Sequence, residues 1–315
     1  MSGVPKIRPI GTDVMSTHLQ GLSTEAADHR FADIDRLPVA ELAALMNNAE
    51  ITVPNAVALA LPEIVAAIEA TAEHMKAGGR LIYVGAGTSG RMGVLDASEC
   101  PPTFSSPPDQ VFAIIAGGPD AIVSPREGAE DDPVAGAKAM DDALVGPDDT
   151  VVGIASSGRT PFVLGAVKRA GERGATTVGI SCNAGTALSA LVEHPIEVLV
   201  GPEIISGSTR LKAGTAQKLV LNMFSTIVMV QLGKTYGNLM VDLKATNVKL
   251  RERAVRMVAT IAAKNRHQSL EALEKTGYNV KLAVICLHFG IEADEAAERL
   301  SRSDGRLRAA LEEQG

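Results

Sequence analysis

The chain has 315 residues, a net charge of -7, 46% hydrophobic and 21% charged residues, an ordinary globular composition long enough for one large domain plus a small appendage. An acidic balance with no Lys/Arg run argues against nucleic acid as a partner. Aromatic residues make up 3% with no Trp, which removes base-stacking platforms and argues against a lectin-type stacked-sugar site, so a sugar would be held by hydrogen bonds and charge.

Residues 1–22 read as a polar, irregular arm. They contain no apolar core of a secretory signal, and no apolar run reaches about 18 residues, so no membrane span is expected and the cytoplasm is the expected location. The segments 37–50 and 53–79 are rich in Ala and Leu at helical spacing, and Gly78-Gly79 caps the second. The apolar strand "LIYV" (81–84) comes next, then "GAGTSG" (85–90), then a helix "RMGVLDASEC" that Pro101-Pro102 is expected to stop. Further strands are read at 111–116, 151–155, 177–181 and 196–200, with a helix over 161–174 that has Pro161 in its first turn. Apolar strands alternating with helices give an α/β fold with a doubly wound, parallel, five-stranded sheet. Residues 209–237 read as one long, mostly apolar helical region, and its stretch 215–233 has core and dimer face as alternative roles. From about residue 250 short helices follow with no strand, ending in a small bundle over 283–311. The expected divisions are an arm (1–22), a main domain (23–245) and a C-terminal helical subdomain (246–315).

The cysteines, Cys100, Cys182 and Cys286, are widely spaced and odd in number, so no disulfide framework or zinc spacing is visible and a reducing compartment fits. No His/Cys/carboxylate cluster has metal spacing, and no cofactor is expected.

Gly85 to Gly90 matches the dinucleotide pattern G-x-G-x-x-G. A glycine turn between strand and helix points N–H groups and the helix's positive end at an anion. A dinucleotide also needs an acid after the second strand, about 20 residues on. Asp120 lies 30 residues beyond Gly90, and Asp109 precedes its strand. The hydroxyls favour a smaller ligand. Thr88 and Ser89 follow Gly87, and Ser156, Ser157 and Thr160 surround Gly158 and Arg159 in a second loop after a strand. A terminal phosphate monoester has three outward oxygens and uses several hydroxyl donors. The alternative is that these are capping residues. Two carboxylates stand near the loops in sequence. Glu99 ends the first helix, which is expected to carry it toward the loop's pocket, and Glu130 lies in "EGAEDD" (127–132), an acidic run that by itself reads first as a solvated surface.

The stretches "GGRLIYVGAGTSGRMGVLDASECPPTF" (78–104), "EGAEDD" (127–132), "SSGRTPF" (156–162), "GSTRLKAGTAQKLVLN" (207–222) and "GNLMVDLKATNVKL" (237–250) resemble the N-acetylmuramic acid 6-phosphate etherases, a sugar isomerase (SIS) family with a flavodoxin-like sheet. "TEAADHRFADID" departs from that pattern, with Ala27-Asp28 in place of its usual Arg-Asn pair. The resemblance implies cleavage of a C3 lactyl ether, giving N-acetylglucosamine 6-phosphate and D-lactate, in cell-wall sugar recycling. It implies Glu99 as proton donor to the lactate, its pKa expected to rise through partial burial, and Glu130 as base at C2. It places Thr88, Ser89, Ser156, Ser157 and Thr160 on the 6-phosphate, with Gly87 and Gly158 in the turns and Arg159 and Lys212 as further cations. It also implies a homodimer. An aldose–ketose isomerase, a non-catalytic sugar-phosphate sensor and, last, a dinucleotide oxidoreductase remain as alternatives.

Overall fold

The computed structural model describes residues 21–313. The expected arm lies outside these residues except for Gly21 and Leu22. The first helices are α1 (Val39–Glu50), α2 (Val53–Leu59) and α3 (Leu61–Lys76). One helix was expected across 53–79. The chain instead breaks at Ala60, and the axis of Val39–Leu59 meets α3 at 60°. Pro62 explains the break, because it has no N–H for the carbonyl four residues back and fits only a first turn. No single helix among the described residues is long and apolar enough to cross a membrane.

Five parallel strands, β1 (Leu81–Gly85), β2 (Val111–Ile115), β3 (Thr150–Ile154), β4 (Thr176–Ser181) and β5 (His194–Glu197), form one sheet in the order β2-β1-β3-β4-β5. This is the flavodoxin order. β1, β3 and β4 are buried along their whole length, as central parallel strands covered on both faces must be. Their side chains alternate. Leu81 and Tyr83 join a cluster with α3, with α4 (Gly87–Phe104) and with α7 (Lys212–Gln231). Ile82 and Val84 face α5 (Pro133–Asp142) and α6 (Pro161–Glu172) through Met140, Phe162 and Ala166.

The last strand, expected at 196–200, lies at 194–197. Its partner β4 ends at Ser181, paired with Glu197, so the ladder stops while Val198 and Val200 stay buried beyond it. The prolines do not stop α4, which runs through Pro101 and Pro102 to Phe104. They sit in the last turn, where the left-handed Ser105 closes the helix with its N–H on the Pro101 carbonyl at 3.0 Å.

α7 is a core helix against α2, α3 and α4, with Val220, Leu221, Phe224 and Val228 buried. Five helices follow: α8 (Val248–Ala262), α9 (Arg266–Lys275), α10 (Val280–Phe289), α11 (Ala293–Arg302) and α12 (Leu307–Glu312). Asn247, Asn265 and Asn279 cap the first three by accepting a backbone N–H. These helices share their own apolar cluster, from Val241 to Ala310.

Candidate active site

The strand order places a topological switch between β1 and β3. From β1 the chain crosses to β2 on one side, then returns past β1 to β3 on the other. The loops leaving β1 and β3 therefore diverge, and a crevice opens at their carboxyl ends. Gly85 and Ile154 are register partners, so "GAGTSG" and "SSGRT" start side by side.

The first loop is built from backbone. A Cβ on Gly85 would lie 2.6 Å from the Gly90 nitrogen, and one on Gly90 would lie 2.6 Å from Ile115 Cγ1 and 2.8 Å from the Gly85 oxygen. Both glycines therefore let the helix start against the strand. Gly87 opens α4 in the left-handed region, at φ 52°. Ser89 is buried and Thr88 half-buried on the first turn, and no side chain caps it, so its N–H groups point into the crevice.

The second loop is built from side chains. Buried Ser156 accepts at Oγ from Gln217 Nε2 at 2.9 Å, and its carbonyl accepts from Cys182 N and Asn183 Nδ2 at 2.9 Å each. Asn183 also donates to Thr24 Oγ1 at 3.0 Å and accepts from Ser23 N at 2.8 Å. The half-buried Ser157 accepts at Oγ from Arg159 N at 3.2 Å. Gly158 turns at φ 64°, where a Cβ would strike Thr186 at 2.3 Å. Thr160 precedes Pro161 at the start of α6 without using its hydroxyl as a cap, and Arg159 is exposed.

Glu130 lies on a 3-10 turn, Ala129–Asp131, entered through Gly128 at φ 75°. The next residue, Asp132, caps α5 through Oδ1, which accepts from Val134 N and Ala135 N at 2.9 Å. α5 and α6 touch backbone to backbone. A Cβ on Gly136 would lie 2.0 Å from the Phe162 oxygen, and one on Gly165 the same distance from the Pro133 oxygen. That contact seats the Glu130 turn beside the start of α6, and hence beside the second loop. The Glu130 side chain is exposed.

Glu99 behaves differently. A helix that begins at the carboxyl end of a parallel strand runs back toward the strand's amino end. Glu99 is 11 residues beyond Thr88 on α4, about 16 Å along the axis at 1.5 Å per residue. Within one chain α4 carries Glu99 away from the loops, not toward them, and its side chain is exposed, without the expected partial burial. Three residues earlier, Asp96 is inside: Tyr83 Oη donates to it at 2.8 Å and Ser225 Oγ at 3.0 Å. Burial pushes the Asp96 carboxyl up to about 6, against the opposing pull of those two hydrogen bonds.

Lys212 is buried, with Nζ donating to the Val200 carbonyl at 2.6 Å, and burial pushes its ammonium below the usual lysine value. Its backbone N–H and that of Ala213 donate to Glu203 at 3.0 Å each. Lys212 thus ties the loop after β5 to the first turn of α7. Asp120, the misplaced ribose acid, pairs with Arg126 at 2.6 Å. Among the described residues no group of three or more His, Cys, Asp or Glu side chains could hold a metal. Sequence reasoning passed over Gln217, Asn183 and Thr24. The one available signal was a polar Asn183 two residues beyond the apolar strand "TVGIS" (177–181).

Residues 63–171 match the model of the glucokinase regulatory protein N-terminal SIS domain, and residues 133–227 match the SIS domain. The N-acetylmuramic acid 6-phosphate etherase of Rubrobacter xylanophilus is 55% identical over 299 residues, which is 95% of this chain and 99% of that protein. Proteins of the same name from Streptomyces avermitilis and Streptomyces coelicolor are each 54% identical over 297 residues, 94% of this chain and 96% of theirs. With identity this high along nearly its whole length, the chain belongs to the N-acetylmuramic acid 6-phosphate etherase family.

Proposed function

We propose that the protein cleaves the lactyl ether of N-acetylmuramic acid 6-phosphate with water, giving N-acetylglucosamine 6-phosphate and D-lactate. The observation that carries this reading is the convergence of two hydroxyl-bearing loops and the Glu130 turn at one switch-point crevice, in a chain whose relatives of similar length bear that name. The N–H groups of α4 and the hydroxyls of Thr88, Ser89, Ser156, Ser157 and Thr160 bind the 6-phosphate, with Arg159 at the rim. Gly87 and Gly158 shape the turns.

An ether at C3 is inert until the sugar ring opens. The C1 aldehyde then acidifies the proton on C2, and Glu130 removes it. The electron pair expels lactate from C3, and Glu99 supplies the proton that lactate takes as it leaves. Water adds to the resulting unsaturated aldehyde at C3, and a proton returns to C2. One ionised and one protonated carboxyl suffice for this sequence.

In one chain Glu99 is farther from the phosphate loops than the carbon skeleton of one sugar phosphate reaches. We therefore infer a homodimer in which each copy lends Glu99 to the other's crevice, which would also bury that carboxyl. The C-terminal helices, residues 246–315, form a subdomain beside the main domain of 23–245, supported by their separate apolar cluster. A cytoplasmic place in recycling of cell-wall sugar fits the free cysteines and the phosphorylated substrate.

The test is D-lactate release from N-acetylmuramic acid 6-phosphate without nicotinamide, run in heavy water. Lactate should appear and deuterium should enter at C2. Folded protein that exchanges C2 but releases no lactate would be an isomerase. Folded protein that binds the phosphosugar and does neither would be a sensor, the alternative favoured by the match to the regulatory-protein model.

A further inference from the structure

Gln217 is fully buried on the second turn of α7, among the buried apolar side chains of Ala213, Ala216, Val220 and Leu221. A buried amide is costly unless its polar atoms are satisfied. Here Nε2 donates to Ser156 Oγ at 2.9 Å, while the buried Oε1 has no partner among the described residues. Three residues earlier on the same face, Gly214 stands against the first loop, where a Cβ would lie 3.4 Å from Thr88 Cγ2. One face of α7 thus backs both loops: Gly214 lets Thr88 close in, and Gln217 reaches Ser156.

We propose that Gln217 is a positioning residue that sets the hydrogen-bond polarity of the phosphate site. A hydroxyl has one proton and two lone pairs. Because Gln217 donates to Ser156 Oγ, the Ser156 proton stays available for a phosphate oxygen. Gln217 touches neither substrate nor reacting atoms, and it acts through Ser156. The inference rests on the phosphate-binding reading of the second loop.

The experiment compares the wild type, Gln217→Met, Ser156→Ala and the double variant. It measures KM and kcat with N-acetylmuramic acid 6-phosphate, and the affinity of inorganic phosphate from the rise it causes in thermal midpoint. Gln217→Met keeps the volume and removes the donor. It should raise KM and weaken phosphate binding about tenfold, with kcat within about twofold. The double variant should be no worse than Ser156→Ala alone, within about twofold, because the two side chains act as one unit. Losses that multiply, a change confined to kcat, or a silent Gln217→Met beside an affected Ser156→Ala would overturn the role of Gln217 alone. A silent Ser156→Ala would overturn the phosphate reading of the loop, and this role with it. Phosphate affinity is read without turnover, so the outcome stands whether or not the etherase activity does. If Gln217→Met does not fold, Gln217→Asn withdraws the donor by one methylene and should give the same pattern.

Discussion

The two ends of α4 are held in opposite ways. Its amino end is fixed inside the chain by glycine contacts with β1 and β2, has Ser89 buried, and leaves no room for another residue at Gly90. Its carboxyl end buries Cys100 and Phe104 in the core but exposes Glu99 to solvent, just ahead of Pro101-Pro102. In the proposed reaction the same helix anchors the phosphate at the end held by folding and, at the other, offers a carboxyl to the second copy of the inferred dimer. The difference teaches that loss of function at the two ends should have separate causes, unfolding at one and missing chemistry at the other.

The strongest test of that separation is Glu99→Gln. It should lower kcat on the order of a thousandfold while leaving the thermal midpoint within about 2 °C, measured by lactate release and calorimetry. Glu130→Gln should do the same and also slow deuterium exchange at C2. A fold-wide destabilisation by Glu99→Gln would break the comparison. Mixing the two inactive proteins under conditions that exchange subunits sharpens it. Half of randomly re-paired dimers are mixed, and each has one intact site if Glu99 acts across the interface, so about a quarter of the wild-type activity should return. No recovery would place both glutamates in one chain's site.

At the amino end, Gly90→Ala should destabilise the fold by about 2–3 kcal/mol, as overpacking against a strand does, read as a lower denaturant midpoint. An Ala variant that is stable but inactive would show that this end too is built for chemistry alone. Asp96, between the ends, should give the smallest effect. Its folded pKa, about 6, is raised above the ordinary 3.8. The carboxyl therefore costs nothing below pH 3.8, and stability declines as pH rises from there through 6, by about 3 kcal/mol in total and about half of that between pH 5 and pH 8. Asp96→Asn should flatten that decline in unfolding measured at pH 5 and pH 8. An unchanged slope would assign it to other groups.

The strands and the two loops were legible because each is a local pattern: an apolar run, then glycine and hydroxyls. The alternation of strands and helices implied the parallel sheet, but the crevice depends on the strand order, which pairs segments far apart in the chain. What local patterns could not show is distance. "DASEC" reads as part of the loop's helix, but only the rise of that helix reveals that Glu99 ends up far from Thr88. Gln217 lies 61 residues from Ser156 and Thr24 lies 159 from Asn183, so the hydrogen bonds that orient the second loop exist only once the sheet and α7 have assembled. Pro101-Pro102 misled for a related reason. A proline's missing N–H costs little in a final turn, and the position of that turn is set by Ser105 and not by the prolines.

The contact between α5 and α6 has a consequence for how this enzyme family can vary. Gly136 and Gly165 let two backbones meet with no side chain between them, so the spacing between the Glu130 turn and the second loop does not depend on which apolar residues fill the surrounding layer. Homologues can exchange Phe162, Met140 or Ala166 with compensating partners and keep the crevice the same width. A library randomised across that layer should therefore return many active sequences, with these two glycines as the fixed points among them.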